Sequence, residues 1–156
     1  MLDLDIPGFG HLRLEHLVLD FNGTLALDGH VQPGVFSRLS QLKAFLSIHI
    51  LTADTFGTVK TTFASTPFTI HILPQGNENN AKRDYVRALG PSTCACLGNG
   101  NNDAAMLSEA ALSMAVLQPE GTAWKALSSA MLAVPGIESA LDLLLHPARL
   151  KATLRF

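Results

Sequence analysis

Along this chain of 156 residues, short apolar runs alternate with segments of helical periodicity, and that alternation bounds the fold more tightly than any other feature. The runs are His16 to Asp20 (HLVLD), Ser47 to Thr52 (SIHILT), Phe68 to Leu73 (FTIHIL), Cys94 to Leu97, Leu112 to Leu117 and Ala130 to Val134. Near-continuous apolar runs of this length are what parallel strands covered on both faces require. Between them, Pro33 opens a helix with Val35, Leu39, Leu42 and Leu46 on one stripe. Further helices are predicted over Phe56 to Ala64, Asn79 to Leu89 (ended by Gly90-Pro91), Asn102 to Ala110 and Thr122 to Leu127, with Gly136 to Leu145 as the last. Leu2 to Ile6 and His11 to Glu15 alternate apolar and polar residues around Pro7-Gly8-Phe9-Gly10, the pattern of a hairpin. The order predicts one three-layer, Rossmann-like α/β domain over residues 1–156: a central parallel sheet, helices on both faces and an N-terminal hairpin. In such sheets chemistry gathers at the carboxyl ends of the strands.

Bulk properties narrow the function. A net charge of −2 leaves no basic footprint for nucleic acid. No apolar stretch is long enough to span a bilayer. The N-terminal MLDLDIPGFG carries acids where a signal peptide needs basic residues, so a cytoplasmic location is expected. Cys94 and Cys96 lie two apart in a strand-like run; they are expected to be buried, reduced thiols, because a bridge between them is geometrically poor. Apolar residues make up 47% of the chain against 15% charged, a balance that points to self-association into a homo-oligomer.

Four features carry chemistry. Asp20 leaves an apolar strand into Phe21-Asn22-Gly23-Thr24, where its carboxylate would stand at the sheet rim. Taken alone, the segment also reads as a solvated turn, since Asn-Gly is turn chemistry. Thr52 ends the second core strand, where a hydroxyl can donate to a phosphate oxygen. Lys82 lies early in the helix before the fourth strand, where a cation can neutralise phosphate charge; alone it would be a surface lysine, with Arg83 as its rival. Gly98-Asn99-Gly100-Asn101-Asn102-Asp103 follows the fourth strand as a tight loop, with Asp103 able to face the Asp20 rim and help hold a divalent cation or, more simply, with Asn102 or Asp103 capping the next helix.

In that order, these features resemble the haloacid dehalogenase (HAD) superfamily. LVLDFNGTLA is similar to its first motif, HILTAD to its second, Lys82 to its third and LGNGNNDAAML to its fourth, over about His16 to Leu117. DFNGTLA with GNGNNDAAML is most similar to a small soluble group named for its likeness to P-type ATPase catalytic domains. The resemblance implies Mg²⁺-dependent phosphoryl transfer through an aspartyl-phosphate on Asp20, of phosphatase type, acting on a small phosphorylated substrate or a phosphoprotein. Mg²⁺ would be held by Asp20, the Asn22 backbone carbonyl, Asn99 and Asp103, with Thr52 and Lys82 on the phosphoryl oxygens. Two positions depart from the pattern. Asn22 stands where HAD phosphatases carry a general acid, and Asn99 where the fourth motif carries a metal-binding aspartate. These departures keep a second reading open, a non-catalytic phosphate- or ligand-binding regulator. A third, soluble P-type-ATPase-like nucleotide hydrolysis, lacks space for a nucleotide-binding insertion. The intervals Leu25 to Ser47 and Thr52 to Lys82 are also too short for a cap domain, so a capless protein is expected.

Overall fold

A computed structural model describes residues 1–53 and 58–156. Strands β1 (Leu2–Ile6) and β2 (Gly10–Leu14) form an antiparallel hairpin. β3 (His16–Asp20) enters the main sheet, and the chain then makes a two-stranded flap, β4 (Ala26–Leu27) and β5 (His30–Val31). Helix α1 (Val35–Leu42), β6 (Ser47–Thr52), α2 (Thr58–Thr62) and β7 (Thr69–Ile72) follow. Next come α3 (Glu78–Leu89), β8 (Cys94–Gly98), α4 (Ala104–Glu109) and β9 (Leu112–Leu117). The chain closes with α5 (Trp124–Ser129), β10 (Leu132–Pro135), α6 (Ile137–Leu145) and α7 (Pro147–Leu154). The six strands of the main sheet run parallel in the order β10-β9-β8-β3-β6-β7, which puts β3 between β6 and β8.

The period-two alternation of each strand builds two apolar layers. Leu17 and Leu19 of β3, with Ile48 and Ile50 of β6, pack with α1, α6, α7 and the hairpin. Val18, Leu51, Cys94 and Cys96 pack on the other face with Val86 of α3 and Met106 and Leu107 of α4. Both cysteines are buried and reduced, and burial pushes the Cys94 thiol up to about 11. On the first face α1 and α6 are also joined by Arg38, whose guanidinium forks onto Asp142 at 2.7 and 3.2 Å.

The architecture agrees with the expected three-layer α/β fold, N-terminal hairpin included. Some details differ. The last helix is α7, not the helix ending at Leu145. His146-Pro147 marks its start, but its apolar stripe is thin and Leu150 is its only buried residue, so helical periodicity barely registers. α5 begins two residues later than expected because Thr122 and Ala123 complete the loop, Ala123 donating from its backbone to Asn99 O, and β10 begins two residues later because Ala130 caps α5, its N–H donating to Ala126 O. The expected helix from Phe56 is described only as Thr58–Thr62; residues 54–57, including Asp54 of HILTAD, lie outside the described residues. No described helix is long and apolar enough to cross a membrane.

Candidate active site

β3 is covered on both faces and flanked on both sides, so its last residue, Asp20, is delivered to the rim with only 6% of its surface exposed. Lys82 reaches the same point from α3. It shares the buried stripe of that helix with Val86, one turn on, and is 1% exposed. Arg83, on the next helical position, turns outward and pairs with Asp84 at 2.9 Å. The Lys82 ammonium donates to Asp20 Oδ1 and to Asp103 Oδ1, each at 2.6 Å, so the three expected charges meet at one place.

The loop after β8 is built around Asp103, which is fully buried. Its Oδ2 accepts the backbone N–H of Asn99 at 2.9 Å and of Gly100 at 2.8 Å. With Oδ1 on Lys82, both oxygens are engaged, so Asp103 shapes the site by orienting Lys82 and the loop. Gly98 is required here: a Cβ on it would stand 2.4 Å from Asp103 Cγ. Asn79 fastens α3 to this region by accepting the Ala105 N–H at 3.2 Å.

Thr24, not singled out as a site residue from the sequence, joins the two halves. It is fully buried, and its hydroxyl lies 3.1 Å from Asp20 Oδ2 and 3.3 Å from Asn99 Oδ1. Its carbonyl accepts Gln118 Nε2 at 2.8 Å and Gln32 Nε2 at 3.4 Å. The signal that could have found Thr24 is its place in DFNGTLA, four residues after Asp20 in a glycine turn. Asn22 is exposed at the rim, beside a backbone bridge in which Gly23 N–H donates to Ala26 O and Ala26 N–H to Phe21 O. Neither bond uses the Asn22 carbonyl. Thr52 ends β6 next to β3 and is buried.

The electrostatics follow from two buried carboxylates sharing one ammonium. Burial first, then the Asp103 charge, push Asp20 up to about 7 against the opposing pull of Lys82 and Thr24. Burial works against the Lys82 ammonium, yet charge and hydrogen bonds from Asp20 and Asp103 hold its pKa above the ordinary lysine value. With both carboxylates ionised, as a bound cation would favour, one ammonium leaves the site short of one positive charge. Among the described residues no group of three or more His, Cys, Asp and Glu is placed to hold a metal. The donors that do converge are oxygens: Asp20 Oδ2 and Asn99 Oδ1 lie within hydrogen-bond reach of one hydroxyl. Oxygen donors beside surplus negative charge fit a hard divalent cation such as Mg²⁺, with one carboxylate fewer than Asp at 99 would give.

No family model matches the chain. Two uncharacterised proteins of Methanocaldococcus jannaschii match short stretches. One is 48% identical over 59 residues, 38% of this chain and 63% of that protein. The other is 51% identical over 39 residues, 25% of this chain and 89% of that protein. Thus the chain spans slightly under two thirds of the length of the first relative. Among solved structures, the cobalt-bound deoxy-D-mannose-octulosonate 8-phosphate phosphatase of Haemophilus influenzae superposes with a TM-score of 0.73 at 12% identity, over 92% of this chain and 94% of that one. The corresponding Moraxella catarrhalis phosphatase, in complex with magnesium, phosphate and its sugar acid, gives 0.67 at 16% identity over 91% and 94%. A zinc-transporting PIB-type ATPase in its E2.Pi state gives 0.62 at 22% identity, over 79% of this chain and 20% of that one.

Proposed function

We propose that this chain, which has the haloacid dehalogenase-like fold, is a phosphatase-type enzyme in which the Asp20 carboxylate attacks phosphorus. The observation that carries the reading is Lys82 Nζ, buried and 2.6 Å from the carboxylates of both Asp20 and Asp103. Asp20 displaces the alkoxide of a phosphate ester, which takes its proton from water, leaving an aspartyl-phosphate that a further water then hydrolyses. Lys82, held in place by Asp103, neutralises charge on the transferring oxygens, and the Thr52 hydroxyl donates to them. Thr24 keeps Asp20 oriented. Mg²⁺, when bound by Asp20, Asn99 and the Asn22 carbonyl with Asp103 behind them, would supply the missing positive charge. The magnesium and phosphate held by the Moraxella enzyme support that assignment. Asn22 cannot transfer a proton, so turnover is slow.

Among the described residues no cap domain covers the rim, and Trp124, which follows the loop bonded to Asn99, is 79% exposed. An open rim suits a small phosphorylated substrate or a phosphorylated protein, and a second copy of the chain would close it. The second reading, phosphate binding without turnover, is favoured by the amides at 22 and 99. A metal-dependent screen of phosphate esters beside Asp20→Asn separates the two. Mg²⁺-dependent release of phosphate that Asp20→Asn abolishes supports the enzyme. Saturable phosphate binding without any release, unchanged by Asp20→Asn, supports the regulator.

A further inference from the structure

The two carboxamide positions of the site are also the two Asn-Gly steps of the chain, Asn22-Gly23 and Asn99-Gly100. Asn-Gly is the dipeptide most open to deamidation, because glycine places no side chain between its own nitrogen and the asparagine Cγ. The fold treats the two steps differently. Asn99 is held at both ends of its amide, Oδ1 lying 3.3 Å from the Thr24 hydroxyl, whose single proton it shares with Asp20, and Nδ2 donating to Gly121 O at 3.1 Å. The nitrogen that would attack it, Gly100 N, donates to the buried Asp103 carboxylate at 2.8 Å. A carboxylate in that position opposes removal of the N–H proton, which the reaction needs. Asn22 is exposed at the rim. Its attacking nitrogen, Gly23 N, donates 2.9 Å to a neutral backbone carbonyl, Ala26 O, a bond that is lost whenever the turn opens.

We propose that Asn22 is a self-modification site that converts to a carboxylate in the folded protein, while Asn99 stays an amide. Gly23 N attacks Asn22 Cγ, the C–N bond to the side-chain nitrogen breaks and ammonia leaves, giving a cyclic succinimide. Water then opens the ring at either carbonyl, yielding aspartate or isoaspartate at position 22. The net change is loss of ammonia and gain of water, with no oxidation or reduction. The aspartate product places an acid at the exposed rim two residues past Asp20, where it can exchange protons with a leaving group or an attacking water. The isoaspartate product adds a methylene to the backbone and displaces the carbonyl of residue 22. The gain in turnover rests on the phosphatase reading; the modification itself does not.

The test holds the full-length protein folded at mildly alkaline pH and follows each site by peptide mapping and mass spectrometry, beside a urea-unfolded sample and Asn22→Gln. The unfolded chain is expected to convert at both Asn22 and Asn99. The folded chain is expected to convert at Asn22 alone, more slowly, and the Asn22→Gln protein not to convert at position 22, because the larger ring closes poorly. Asn22 remaining intact in the folded protein while the unfolded one converts, or Asn99 converting ahead of it, overturns the proposal. Aryl phosphate turnover with Mg²⁺ is measured on the same samples. A rise that tracks the aspartate fraction supports the activating consequence. Conversion without a rise, with Asn22→Asp equally inert, counts against the phosphatase reading and leaves the modification standing.

Discussion

Gly23 and Asn99 approach so closely that a Cβ on residue 23 would stand 2.6 Å from the Asn99 amide nitrogen. This contact packs the turn after β3 closely against the loop after β8. Gly23 also has φ of +77°, a conformation costing a residue with a Cβ about 1–2 kcal/mol. Gly23→Ala is therefore expected to lower stability by at least that amount and to weaken Mg²⁺ binding, read by denaturant unfolding and by metal titration. Wild-type stability and affinity in the variant would show that the two loops are not coupled here.

Asn99→Asp separates metal affinity from apo stability. The added charge is expected to tighten Mg²⁺ binding. The same change removes the N–H donated to Gly121 O at 3.1 Å and points an anion at a carbonyl. Without metal the variant should lose about 1–3 kcal/mol, the cost of an unmet polar contact. Calorimetric titration reads the first effect and thermal unfolding without metal the second.

Asp20→Asn is expected to abolish turnover and to stabilise the protein. The substitution keeps an oxygen for Lys82 while removing a charge that burial and Asp103 already disfavour, as its pKa of about 7 records. A gain of up to about 4 kcal/mol is expected at pH 8, since the folded and unfolded values lie about three tenfold steps apart and each step is worth about 1.4 kcal/mol. The gain should shrink as pH falls below 7, where folded Asp20 takes up its proton, and vanish below the ordinary value of 3.8, where the unfolded chain does the same. A variant less stable than wild type at pH 8 would contradict this charge balance.

Asn22→Asp supplies a proton-transfer group at the rim. General acid–base catalysis contributes about 10²- to 10⁴-fold, or roughly 3–5 kcal/mol of barrier. Turnover of an aryl phosphate should rise toward that range with little change in KM. A fast wild type slowed by this substitution would assign position 22 a different role.

His49 gives the fold a separate pH dependence. It is buried, bonded to His16 at 3.1 Å and to the Tyr85 hydroxyl at 2.9 Å. Burial, then the charges of His16 and Lys43, lower its pKa from 6.5 to about 4. Above pH 6.5 both folded and unfolded states hold it neutral, and its contribution is complete. As pH falls from 6.5 to 4 only the unfolded state takes up the proton, so up to about 3 kcal/mol of stability is lost, and below 4 the loss levels off. The difference between wild type and His49→Gln in unfolding free energy should follow that window; a flat difference across it would show that His49 titrates normally.

Much of this molecule was legible in local pattern. The run HLVLD announced a strand buried on both faces, and the acid ending it had to stand at the rim. The glycines around Asn99 announced a tight loop, because close backbone approaches exclude a Cβ. The choice of Lys82 over Arg83 was half legible: Lys82 lies one turn before Val86 and so shares its buried stripe, but nothing local says that a lysine will be buried. Thr24 and Gln118 were not legible as partners, nor was α7, whose weak stripe identifies it only when Leu150 packs. The pattern of side chains along the chain determined which segments are strands and helices, and which residues end them, because those choices depend on neighbours within a few positions. Only the tertiary structure decided that Asp20 meets Lys82, 62 positions away, that Thr24 meets Asn99, 75 away, and that Gln118 meets the Thr24 carbonyl, 94 away. Those contacts depend on β3 lying between β6 and β8, an order set by how both faces of the sheet are covered at once, which no short window of sequence contains.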